Sequence, residues 1–209
     1  MRKLTSAPMD AFYRANATDA KVLDVGSAGG RNKEYFPNSL TVDLFPDNNP
    51  DVVADAHDLP FADASYDTIV CKEVLEHVKR PQVVIDQFRR VLTPGGKLIL
   101  STRFLFPIHE APHDGFRFTK YALLDLFKDW SEVKIIDEAD PILTIVILID
   151  RMIYQSDFRF NKISKGLLVV ITYLLLPFRH LLLQQYGDVR KSQPVDSAFT
   201  TGYYVVAKK

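Results

Sequence analysis

Five clusters of residues in this chain have types and spacing that could do chemistry. The run Gly26-Ser27-Ala28-Gly29-Gly30 follows the apolar segment KVLDV. Glycine there lets the backbone turn sharply and lets a ligand approach the main chain. Asp43 closes the next apolar run, seventeen residues after Gly26, where a carboxylate can accept both hydroxyls of a ribose. Asp55-Ala56 follows, an acidic side chain and a backbone N–H able to read the edge of an adenine. Cys71 and Glu73 end a further apolar run over the same crevice. The last cluster is RFLFPIHEAPHDGFRFT (103–119), which concentrates His109, His113, Asp114 and Arg117. A histidine near neutral pKa can take a proton, and a neighbouring carboxylate can orient it. His113 beside Asp114 is the first candidate base, His109 the second, and Arg117 a cation for an anionic group. The plain alternatives are that His and Asp cap a helix starting near Thr119 and that Arg117 pairs with Asp114. His77 reads as structural or cofactor-adjacent, and His57 and His180 have no supporting neighbours. No second cluster joins His109 at ligand spacing, so no metal is expected.

The elements that position these clusters alternate. Strands are expected at 21–26, 39–45, 51–56, 66–73, 97–104, 131–139 and 201–209. A helical lead-in is expected over 1–20, and a helix is expected to begin over 31–36 and end at Pro37. PQVVIDQFRRVL (81–92) has apolar residues at helical spacing with proline in the first turn. TPGG (93–96) is turn chemistry. TKYALLDLFKDW (119–130) is amphipathic, with Thr119 as N-cap. Strands alternating with helices make a parallel sheet covered on both faces, which binds ligands beyond the carboxyl ends of its strands. All five clusters fall at such ends.

Together these motifs resemble the class I S-adenosylmethionine-dependent methyltransferases, in particular the small bacterial type. LDVGSAGG, TVDLF, ADAHDLPFADASYDTIVCKEVLEHV and LTPGGKLILST stand in the family's order and spacing over about residues 21–102. The resemblance implies an α/β, Rossmann-like doubly wound fold: a mostly parallel seven-stranded sheet with an antiparallel last strand. It implies S-adenosylmethionine as cofactor. Asp24, Gly26, Ala28 and Gly30 would hold its methionine part, Asp43 its ribose with Leu44 beside the adenine, and Asp55 and Ala56 the adenine edge. Cys71 and Glu73 would line the methionine and reaction site. The chain departs from the family at Ala28, where the middle glycine is replaced. Alanine is tolerable there at negative φ and strained at positive φ. The same turn argues against nicotinamide, whose G-x-G-x-x-G fingerprint meets Ala28 and Arg31 at two of its three glycines. Methyl transfer needs positioning above all, and a base if the acceptor is a hydroxyl. The expected activity is O-methylation of a small-molecule, saccharide or lipid-linked acceptor. The alternative is a methyltransferase-like protein that binds S-adenosylmethionine or S-adenosylhomocysteine without turnover.

The whole chain bounds these readings. Its 209 residues suit one domain, 1–209, and Lys plus Arg (26) balance Asp plus Glu (26), so no nucleic-acid partner is indicated. One cysteine fits a reducing, cytoplasmic compartment, and the N-terminus carries no secretory pattern. Between the sixth and last strands lies an apolar helical insertion, 141–190, including ILTIVILI and KGLLVVITYLLLPFRHLLL (165–183). No stretch reaches the roughly 20 apolar residues expected of a span. Residues 141–191 carry seven basic against three acidic residues. Such a segment fits a peripheral, in-plane membrane anchor, a lid over the substrate, or a homodimer interface.

Overall fold

The structure, a computed structural model, describes residues 6–182, 184–196 and 198–209. Residues 1–5 of the expected lead-in and Leu183 of the apolar run lie outside the described residues. Five helices are described: α1 (Ser6–Ala15), α2 (Pro81–Val91), α3 (Lys120–Leu126), α4 (Pro141–Gln155) and α5 (Asn161–Leu175). The strands are β1 (Val22–Val25), β2 (Leu40–Asp43), β3 (Val52–Val53), β4 (Tyr66–Lys72), β5 (Leu92–Arg103), β6 (Glu132–Asp137), β7 (Gln185–Tyr186), β8 (Pro194–Val195) and β9 (Gly202–Lys208). Seven form one sheet in the order β3-β2-β1-β4-β5-β9-β6, with β9 antiparallel to both neighbours. The strand order reverses between β1 and β4, which places a ligand crevice at their carboxyl ends.

Period-two alternation splits the core. Leu23 and Val25, Ile69 and Cys71, Leu98 and Leu100 face α2 and α3, which contribute Val84, Ile85, Phe88 and Leu123. Val22, Val70, Ile99 and Tyr204 face the other way, against Met9, Phe12 and Tyr13 of α1 and the rings of Tyr35 and Phe36. Two expectations need correction here. Residues 31–36 form hydrogen-bonded turns and no helix. Positive φ at Ala28, Gly29 and Gly30, followed by Pro37, leaves too few residues for a right-handed helix to nucleate. The third strand shrinks from 51–56 to Val52–Val53, because it lies at the sheet edge with one neighbour. The TPGG turn survives as a bulge: Tyr66 pairs with Leu92 and Thr68 with Lys97, so the intervening residues loop out of the ladder.

The insertion is a helical pair, α4 and α5, followed by a 3₁₀ segment (Leu176–His180) and the small β7–β8 ribbon, which the sequence patterns did not announce. Phe106, Ala139, Leu143 and Ile147 root it on the domain. The expectation that no segment is long enough to span a bilayer is corrected too. The helix running from Asn161 to Arg179, 19 residues, is long and apolar enough by length and composition, and none of it is buried.

Candidate active site

The glycine turn sits directly above β1. Gly26 has φ +71°, and a Cβ there would lie 2.2 Å from Val74 Cγ2. Ala28 has φ +44°, the strained case, so its methyl is held in the left-handed region. What holds it is Asp43: Oδ2 accepts from the Ala28 N–H (3.0 Å) and Oδ1 from the Phe45 N–H (3.0 Å). The carboxylate is buried at the end of β2 and ties the turn to the next strand. Leu44 and Phe45 beside it are each 55% exposed, apolar surfaces free to take a flat ring. Beneath the turn, Asp24 is fully buried, with Oδ1 accepting from Asn32 Nδ2 (2.9 Å). Its Oδ2, Ser27 Oγ and Asn32 Oδ1 are buried without a hydrogen-bond partner among the described residues. Burial pushes the Asp24 carboxyl up to about 6. Unsatisfied polar atoms gathered around a glycine turn fit a ligand that brings its own polar groups.

Asp55 is exposed and accepts from His57 through Oδ1, from the backbone N–H at 2.9 Å and from Nδ1 at 2.6 Å. His57 Nε2 in turn accepts from the Arg80 N–H (3.1 Å), which fixes the tautomer. His57, read as having no supporting neighbours, therefore braces Asp55. Ala56 is half-buried against the core. Cys71 does not line the crevice: its side chain is wholly buried in the core on the α2 face, and burial raises its thiol well above the usual range.

The substrate-side loop rearranges the expected roles. Asp114 pairs bidentately with Arg117 at 2.6 Å through each oxygen. That pairing holds its carboxyl down at about 2. Arg117 also donates to the carbonyls of Phe106, Pro107 and Phe116, so it braces the loop and is not free to clamp a substrate anion. Asp114 accepts from the His109 N–H (3.0 Å) and lies 3.2 Å from His109 Nδ1. It thus orients His109 and leaves His113, whose carbonyl meets His77 Nδ1 at 2.6 Å while its side chain is exposed. Burial lowers the His109 pKa, so its imidazole is neutral near pH 7. The rings of His77 and His109 meet edge-on at 4.9 Å.

Sequence reasoning passed over three buried charges at the strand ends. Arg103, the last residue of β5, pairs with Glu73 and, at 2.6 Å, with Glu138 beyond β6. Glu138 also accepts from Thr201 Oγ1 (2.6 Å). Glu76 is fully buried, accepts from Thr102 Oγ1 (2.8 Å), and is pushed up to about 7 by burial and by the neighbouring Glu73. Its Oε1 has no hydrogen-bond partner among the described residues and lies 4.0 Å from His77 Nε2. The available signal was the EVLEHV motif itself, in which an acidic residue stands among apolar ones. Glu73 adopts φ +57°, a strained conformation that aims its carboxylate at Arg103. Glu76, His77 and His109 bring one donor atom each within 4.8 Å of one another, a set that could hold a divalent cation. A cavity of about 390 Å³ is lined by Pro107, Ile108, Leu148, Met152, Gln155 and Ser156, the first two on the loop that carries His109. A second cleft, about 570 Å³, lies beside the end of β6 and touches neither the glycine turn nor His109.

Residues 23–100 match the family described as "Methyltransferase domain". The match runs from β1 to the middle of β5 and takes in the glycine turn, Asp43, Asp55 and Glu73. Over residues 23–100 the chain is similar to S-adenosylmethionine-dependent methyltransferase domains. A curated relative, the ubiquinone biosynthesis O-methyltransferase of Xanthomonas oryzae pv. oryzae, is 34% identical over 110 residues, covering 43% of this chain and 45% of the relative. The chain thus spans somewhat under half the length of the curated relatives it matches. Among solved structures, a SAM-dependent methyltransferase from Archaeoglobus fulgidus superposes with a TM-score of 0.60 at 15% identity, covering 100% of this chain and 95% of that one. The [4+2]-cyclase SpnF superposes with a TM-score of 0.58 at 16% identity, covering 99% and 80%. These likenesses carry the fold: a class I methyltransferase sheet, doubly wound, with its antiparallel strand between β5 and β6.

Proposed function

We propose that this methyltransferase-family chain binds S-adenosylmethionine and methylates a hydroxyl oxygen of a small-molecule, saccharide or lipid-linked acceptor on the cytoplasmic side. The observation that carries the reading is the buried Asp43 carboxylate bonded to the glycine turn, above an Asp24 with an unsatisfied oxygen. Asp43 would take the ribose hydroxyls, Leu44 and Phe45 the face of the adenine, Asp55 and Ala56 its edge, and Asp24 with Gly26 to Gly30 the amino-acid end. Bound there, the cofactor would supply a methyl group on a cationic sulfur, electrophilic without further activation. His109, neutral and oriented by Asp114, takes the proton from the acceptor hydroxyl. The cavity lined by Leu148, Met152 and Ile108, the last on the same loop as His109, offers an apolar seat for the acceptor body. The O-methyltransferase named among the relatives supports oxygen as the acceptor atom.

The fold is also used by a protein named as a cyclase, and Ala28 stands strained in place of the family's middle glycine, so binding without methyl transfer is the second reading. Titration calorimetry with S-adenosylmethionine and S-adenosylhomocysteine tests the site, and transfer of labelled methyl into a fractionated cell extract tests turnover. Both ligands should bind, and Asp43→Ala should weaken binding by roughly 10- to 100-fold, the loss of charge-assisted hydrogen bonds. Unchanged affinity in that variant refutes the assignment, and binding without labelled product selects the second reading.

A further inference from the structure

The outward face of α5 inverts the pattern of a soluble helix. Ile163, Leu167, Val170 and Leu174 recur three or four residues apart, with Tyr173 beside them and Phe178 and Leu181 continuing past the helix end, and each is between 49% and 75% exposed. A helix packed on a domain turns that stripe inward. Here no α5 residue is buried, so α5 does not seat as a lid on the core. We infer that this stripe is an in-plane docking surface for an anionic lipid bilayer.

Charge selects the occupant. No acidic residue lies between Asp157 and Asp188, whereas Arg159, Lys162 and Lys165 cluster at the start of the stripe and Arg190 and Lys191 follow it. Apolar side chains bordered by cations suit the boundary between acyl chains and anionic headgroups. The anchoring geometry decides in-plane over spanning. Arg179, at the end of the stripe, donates to Asp140 at 2.7 Å, and Asp140 caps α4 through the Leu143 N–H. Both ends of the hairpin are therefore fixed to the domain, and its far tip carries Asp157, Arg159 and Lys162. Crossing would drag those charges through hydrocarbon. Gln155 Nε2 donates to the Ile108 carbonyl (3.0 Å), so the docked hairpin is tied to the loop that carries His109. The bilayer face and the cavity at Ile108 and Met152 then adjoin, an arrangement that admits an amphipathic acceptor from the membrane.

The test is co-sedimentation of the full chain with vesicles of phosphatidylcholine alone and of phosphatidylcholine mixed with phosphatidylglycerol. The mixed vesicles should bind on the order of 10-fold more tightly or better, a preference that high salt removes. Leu167→Asp with Leu174→Asp should reduce that binding by roughly 100-fold. Lys162→Glu with Lys165→Glu should abolish the preference for the anionic mixture. Both pairs should keep the thermal unfolding midpoint of the parent, which separates loss of docking from loss of fold. Absence of sedimentation with anionic vesicles, or equal sedimentation of parent and variants, overturns the inference. So does a lipid-free dimer, detected by light scattering, that the two leucine substitutions dissolve, since the stripe would then be a subunit interface.

Discussion

His109 and His113 stand on one loop, and Asp114 chooses between them. Its carboxylate takes the His109 amide and approaches the His109 ring, while the His113 ring points to solvent. A base must be both neutral and oriented, and burial together with Asp114 gives His109 both properties. His109→Ala should therefore lower the rate of labelled-methyl transfer by about 10²- to 10⁴-fold with cofactor affinity intact. His113→Ala should leave the rate of the parent. A large loss in the second variant and none in the first would reverse the assignment. Sequence adjacency favoured His113, since Asp114 follows it directly. Neighbouring residues on an extended loop point apart, however, and the turn at Glu110–His113 brings the more distant histidine back onto the carboxylate. Cys71 illustrates the same limit: its position on β4 was legible, but the face it occupies depends on strand register.

Elements with a strong local signal form where the patterns put them. α2 begins at Pro81 and buries Val84, Ile85, Phe88 and Val91, one helical face. α3 begins after Thr119, whose side chain accepts from the Ala122 N–H at 3.1 Å. Thr119→Ala should cost about 1 kcal/mol, a fall of about 2–4 °C in the unfolding midpoint by calorimetry. An unchanged midpoint would mean that packing of Leu123 alone holds the helix start. Where local and tertiary demands conflict, the pattern misleads. RNKEYF has helical character, yet the left-handed residues before it and Pro37 after it confine it to turns. Tyr35 and Phe36 still bury their rings against α1, so the segment keeps its packing role without the helix.

Across the whole molecule, carboxylates raised by burial and carboxylates lowered by a cationic partner pull stability in opposite directions with pH. Burial raises Asp24 to about 6, Glu76 to about 7, and Glu138 as well. A carboxyl raised in the folded state contributes stability below its unfolded pKa, and that contribution is lost as pH climbs through the folded value. Arg117 lowers Asp114 to about 2, and that stability is present at neutral pH and lost only in strong acid. The ligand-free chain should therefore be most stable near pH 4 and lose stability between about pH 4 and 7. Asp24→Asn should flatten the Asp24 part of that decline, on the order of 2–3 kcal/mol. A midpoint that rises steadily from about pH 4 to 7 in the parent would contradict these environments.

The amino-acid sequence by itself determined the fold class and placed the glycine turn, Asp43 and Asp55 at the carboxyl ends of successive strands, where the cofactor site is proposed. Those features rest on short-range periodicity and fixed spacing, which survive without knowledge of contacts. Tertiary structure decided which histidine Asp114 orients, that Arg117 braces a loop, that Ala28 is strained, and that Arg103 gathers Glu73 and Glu138 from distant strands. Each of these depends on the closing of long loops and on which groups lose water together, and neither is encoded at any single position along the chain.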